Sequence, residues 1–91
     1  MPAQNFRPAH YNGTANDTVT KVVLRRAGHG LKIKNLDDKD SLLVSFQPDA
    51  DPYTVLPGEE YNVDGEFLAF WVVASNDDDQ SAAYCSIVLE G

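Results

Sequence analysis

From Phe67 to Ala74 the chain carries no polar side chain. The stretch is rich in aromatic and β-branched residues and is closed off by Gly65 on one side and by Asn76 to Gln80 on the other. That composition suits a strand, and no segment of the chain shows a convincing helical period. Successive side chains of a strand point to opposite faces. One parity therefore presents Phe67, Ala69, Trp71 and Val73, and the other presents Leu68, Phe70, Val72 and Ala74. Both faces are apolar, but a domain this small has room for one core. The second face must be covered by a loop, by the N-terminal segment or by another subunit. Phe67, Ala69, Trp71 and Val73 are the candidate oligomer interface, with the opposite parity competing for that role.

The rest of the chain predicts strands joined by close-set turns. Val19 to Arg26 is mixed and β-branched and leads to an expected turn at Gly28-His29-Gly30. Leu31 to Lys34 alternates apolar and charged, the pattern of a half-buried strand. Asn35 to Asp40 reads as a charged turn, Ser41 to Gln47 as a strand and Pro48 to Pro52 as a loop. Tyr53 to Val55 is a short strand ended by Pro57-Gly58, a pair suited to a type II turn. Tyr61 and Val63 precede an expected turn at Asp64-Gly65, and Ala83 to Leu89 is the last strand. The predicted fold is all-β, with six to seven strands in a small antiparallel β-sandwich or small barrel. Residues 1–18 hold Pro2, Pro8, Gly13 and three Asn without periodicity, and so form an extended N-terminal arm ahead of a sandwich domain at 19–91. Phe6, Arg7, His10 and Tyr11 are the arm's candidate partner contacts. Deleting the arm is expected to leave the domain folded and to weaken attachment.

At 91 residues the chain makes one thin-cored domain that gains stability from partner surface. Residues 1–39 hold all seven Lys and Arg against three acids, a charge of +4, while residues 40–91 hold eleven acids and no cation. The net charge of −7 argues against nucleic acid as a partner. The split instead predicts an acidic surface that meets a basic partner, or opposite-sign faces that meet in an oligomer. No run of about 20 apolar residues is present to cross a membrane as a helix. The polar start lacks the layout of a secretory signal, the single cysteine fits synthesis in a reducing compartment, and Asn12-Gly13-Thr14 and Asn16-Asp17-Thr18 read as chance matches to the glycosylation pattern.

Candidate chemistry is sparse. Cys85 is the sole cysteine and reads as a small core residue. One Cys and two distant His, His10 and His29, do not make a zinc site. Asp37-Asp38-Lys39-Asp40 and Asp77-Asp78-Asp79 lack the ligand spacing of an EF-hand loop and read as solvated turns. No catalytic residues, metal or cofactor are expected, and the chain reads as non-enzymatic.

Several stretches, taken in order, carry a resemblance: Lys34-Asn35-Leu36, Leu42-Leu43-Val44-Ser45-Phe46, Tyr53 to Glu59 with its Pro57-Gly58-Glu59 turn, Trp71 to Ser75, and Tyr84 to Leu89. Over about two-thirds of its length the chain resembles the small β-sandwich structural proteins of tailed bacteriophages, particularly the capsid decoration or cement proteins. The resemblance implies a jelly-roll-like β-sandwich, made in the host cytoplasm, that forms a homotrimer on the exterior of the virion capsid, binds the major capsid protein and bridges neighbouring subunits. Two alternatives remain open: a carbohydrate- or host-surface-binding module using Trp71, Tyr53, Tyr61 and Tyr84, and a head–tail joining or baseplate component.

Overall fold

The computed structural model describes residues 6–47, 50–75 and 81–91. Seven strands follow one another: β1 (Arg7–His10), β2 (Gly13–Ala15), β3 (Thr20–Asn35), β4 (Leu42–Ser45), β5 (Tyr53–Val55), β6 (Glu60–Ala74) and β7 (Ala82–Glu90). All pairings are antiparallel. They join the strands into one sheet in the order β1-β7-β3-β6-β4-β5, with β2 also on β7. The all-β, antiparallel arrangement is the one the strand pattern predicts. The acidic stretch Asp77-Asp78-Asp79, Pro48 and the first five residues of the arm lie outside the described residues.

The long strands β3 and β6 organise the fold. In one half, Gly30–Lys34 of β3 pairs with Glu60–Asp64 of β6 and, on its other edge, with β7. In the other half, Thr20–Val23 pairs with Ala69–Val72, and β6 pairs onward with β4. Between the halves the register slips twice. Residues 24–27 of β3 stand opposite the single Leu68, and His29 stands opposite Gly65 and Glu66. Extra residues on one strand bend it and increase its twist. Here they let the sheet fold over, so that both halves share one core: Leu31, Ile33, Tyr84 and Val88 pack with Leu42, Val44, Val55, Phe70 and Val72. Phe70 is fully buried within it.

Two expected turns are therefore bulges inside continuous strands. Gly28-His29-Gly30 does not reverse the chain, because β6 and β7 flank this stretch and supply ladder partners on both edges. Glycine serves packing at Gly28: a Cβ there would lie 2.8 Å from Leu24 Cδ1 and 2.9 Å from Phe67 Cζ. At Asp64-Gly65 the strand likewise continues, with Gly65 at φ +143°, a backbone region that L side chains rarely enter.

The end of β3 is fixed by a buried side chain. Asn35 is fully buried, and its Nδ2 donates to the carbonyls of Asp40 (2.9 Å) and Val55 (3.0 Å). Its Oδ1 accepts from the Asp37 amide at 2.9 Å. Its backbone N–H donates to Glu59 O and its carbonyl accepts from Gly58 N. One amide thus ties together the loop after β3, the end of β5 and the turn before β6. Asp37 continues the pattern, its Oδ2 accepting from the amides of Lys39 (3.0 Å) and Asp40 (2.6 Å). Carboxylates of this acidic stretch hold the loop's backbone; they are not all solvated.

The arm is extended, and it lies on the chain's own last strand. Arg7–His10 pairs with Ile87–Glu90, and Gly13–Ala15 with Ala82–Tyr84. Ala15 is buried in the core and Tyr11 packs against it. The division at residues 18 and 19 is therefore not a division of the core, and an arm-less domain would lose part of its interior. Cys85 also corrects its expected place. In β7 the alternate residues Ala82, Tyr84, Ser86, Val88 and Glu90 are buried, so Cys85 lies half-buried on the outer face. Strand parity decides this, and the buried parity includes Ser86 and Glu90, which a hydrophobicity reading places outside.

Candidate functional site

The strand at 67–74 resolves its two faces. Phe70, Val72 and Ala74 point into the core, while Trp71 and Val73 lie half-buried on the outer face beside the nearly covered Ala69. Phe67 parts from the other three candidate interface residues. It packs against the core, meeting Phe46 edge-to-face with ring centroids 5.0 Å apart. The register slip at Leu68 separates them by disturbing the simple alternation of faces.

Cross-strand register extends the outer face. Lys21 lies opposite Trp71, Val23 opposite Ala69 and Leu43 opposite Val73. Lys21 Nζ sits 5.4 Å from the Trp71 ring centroid, a cation–π contact. Val19, Leu43, Trp71 and Val73, with Ala50 and Pro52 from the following loop, line a shallow depression of about 220 Å³. Val19 and Val23 remain largely exposed. The corresponding outer face of the other half is charged. Lys32 and Lys34 of β3 stand opposite Asn62 and Glu60, and Lys32 Nζ lies 3.7 Å from Glu60 Oε1.

The arm candidates are scattered. Phe6 stacks on His29, with centroids 4.2 Å apart and planes 16° from parallel, and His29 Nδ1 lies 3.6 Å from Glu66 Oε1. Arg7 and His10 are exposed, opposite Glu90 and Ile87. Tyr11 is used inside the chain. Its hydroxyl donates to Glu90 Oε2, accepts from the Arg25 amide at 3.0 Å and meets Arg25 Nε at 3.4 Å. The Arg25 guanidinium also lies over the Tyr11 ring, 5.2 Å from its centroid. The hydrogen bond to Tyr11, and then the Glu90 charge, hold Arg25 more firmly protonated. Ser86 Oγ donates to Tyr11 O, and Ser86 N donates to Asn12 Oδ1 at 3.2 Å, anchoring the link between β1 and β2. Tyr11 is thus an internal strut in place of the expected partner contact.

The four aromatics of a sugar-binding reading do not form one platform. Tyr53 and Tyr61 stack on each other at 4.8 Å, Trp71 carries Lys21 on its face and Tyr84 is buried. Burial, with a hydrogen bond donated to Tyr53, raises the Tyr61 pKa, and burial alone raises that of Tyr84. Among the described residues, no three His, Cys, Asp or Glu side chains are grouped so as to hold a metal ion.

Sequence reading missed the place where the arm, the bulge of β3 and the end of β7 meet. Arg7 and Arg26 line a small cavity of about 130 Å³ with Glu90 and Gly91, and Arg25 adjoins through Tyr11. The adjacent Arg25-Arg26 pair ahead of Gly28 was the available signal, because two neighbouring charges of like sign break strand alternation. Comparison with protein-family models, curated proteins and solved structures found no match to this chain.

Proposed function

We propose that this chain is a non-enzymatic structural module that acts by protein–protein contact, and that its setting is the exterior of a phage capsid, where it bridges neighbouring subunits of the major capsid protein. The observation that carries the contact reading is the apolar outer face over β6: Val19, Val23, Leu43, Trp71 and Val73 share one side of the sheet and remain partly or largely exposed. A face of this composition is stabilised by covering it, and a repeating shell would add avidity over many weak sites. The capsid setting rests on the resemblance of strand order and turn residues. The separation of the four candidate aromatics makes a carbohydrate-binding role the weaker reading.

The test is cosedimentation with empty heads assembled from the major capsid protein encoded with this chain. Wild-type protein should be retained, and Val19→Asp, which adds a charge at an exposed edge of the face, should reduce retention by about tenfold. Absence of wild-type retention, or equal retention of both proteins, would remove the outer face from the mechanism.

A further inference from the structure

Glu90 is the last residue of β7 and only 7% exposed, a depth at which a carboxylate needs groups that answer its charge. Its Oε2 accepts from the Tyr11 hydroxyl, while its Oε1 accepts no hydrogen bond among the described residues. Arg7 stands opposite Glu90 across the β1–β7 ladder, and Arg26 reaches the same place from the bulge of β3. Both line the cavity of about 130 Å³ with Glu90 and Gly91, and neither forms an ion pair among the described residues. Two guanidinium groups and one carboxylate thus border a common space without closing on one another. Arg25 is engaged by Tyr11, whose hydroxyl meets its amide and its Nε, and adds a third positive charge nearby.

A group that fits this space must answer all three side chains. It needs acceptor oxygens for the forked N–H groups of Arg7 and Arg26. It also needs an O–H, because Glu90 Oε1 is an acceptor and would meet a bare anion with like charge. Inorganic phosphate has both at neutral pH, being an anion that keeps at least one proton. Sulfate has the same shape without the proton. A phosphate monoester has lost its last proton there, its second pKa being about 6. A cavity of this volume has room for several waters, and so for a tetrahedral oxyanion of five heavy atoms.

We propose that Arg7, Arg26 and Glu90 form a binding site for inorganic phosphate, the arginines holding its ionised oxygens and the Glu90 carboxylate accepting from its P–OH. The site goes beyond the protein-contact reading. It shares no residue with the Val19–Trp71 face, and the purified chain alone suffices to test it, so either can fail without the other.

Titration of the purified full chain, followed by NMR amide shifts at neutral pH with ionic strength held constant by chloride, tests it. Phosphate should move the Arg7, Arg26 and Gly91 amides in a saturable way. It should bind about tenfold tighter than sulfate or a phosphoserine peptide, neither of which offers Glu90 a proton. Arg7→Gln and Arg26→Gln, both at exposed positions, should each weaken phosphate binding by about tenfold and leave the thermal melt unchanged. Glu90→Gln should remove the preference for phosphate over sulfate, because its amide donates where the carboxylate repels. A phosphate titration that does not saturate would overturn the inference. So would sulfate or the peptide binding as tightly as phosphate, arginine variants that bind like wild type, or a Glu90→Gln chain that keeps the wild-type preference.

Discussion

The bulge in the middle of β3 and the end of β3 at Asn35 handle polar groups in opposite ways. At Asn35 the side chain is sealed from water and every polar atom of it is bonded, so one residue sets the geometry of three connections. At the bulge, Arg25 and Arg26 stay in solvent, and the geometry there comes from Gly28 and from Tyr11 reaching across from the arm. A satisfied buried amide confers rigidity, because breaking it strands groups that water cannot reach. Exposed charges confer little stability and leave their hydrogen-bonding capacity available to a partner. The end of β3 is thus held rigid from within, while the bulge leaves its charges in solvent.

The largest test of this contrast removes residues 1–18. Because Tyr11 and Ala15 belong to the interior and β1 and β2 cover the edge of β7, the truncated chain should lose its cooperative unfolding transition, as followed by circular dichroism. A truncated chain that melts like the full one would mean that the arm is merely laid on the surface. Next, Asn35→Ala should cost about 2–4 kcal/mol by urea denaturation, since it leaves two buried carbonyls and one amide without their partner. A loss under about 1 kcal/mol would show that water replaces the amide and that this end is not sealed.

Tyr11→Phe addresses the bulge. It keeps the ring and removes only the hydroxyl that joins Glu90 to Arg25, so about 1–2 kcal/mol should be lost. If it costs more than Asn35→Ala, the ranking of the bulge and the Asn35 end is reversed. The smallest effect is alkaline. Tyr84 lies opposite Asn35 and Tyr61 opposite Ile33, and burial raises both pKa values. The folded chain keeps phenolic protons that the unfolded chain releases near pH 10, so stability should fall as pH rises above about 10. Phenolate absorbance that develops ahead of unfolding would instead mean that these rings titrate without opening the Asn35 end.

Much of the fold was legible because strand-forming residues act locally. The last strand and the Tyr53–Val55 strand follow from alternation and from the turn residues around them. Gly28 and Gly65 read as turns in the sequence because glycine marks both a site where a Cβ does not fit, as at Gly28, and a backbone that side chains rarely adopt, as at Gly65, and sequence does not say whether a turn or a bulge is the cause. Asn35 was visible only as part of a strand end, since its three hydrogen-bond partners come from separate segments.

By itself, the amino-acid sequence determined that the chain is all-β, that its cations lie in its first 39 residues and that one strand is apolar on both sides. These are properties of composition and of a period of two along the backbone. Only the tertiary structure decided that Phe70, Val72 and Ala74 face inward, that Tyr11 is a strut and that Arg7 and Arg26 meet beside Glu90. Those outcomes depend on register between strands distant in sequence. A slip of one residue exchanges the faces of a strand, so local pattern cannot decide them.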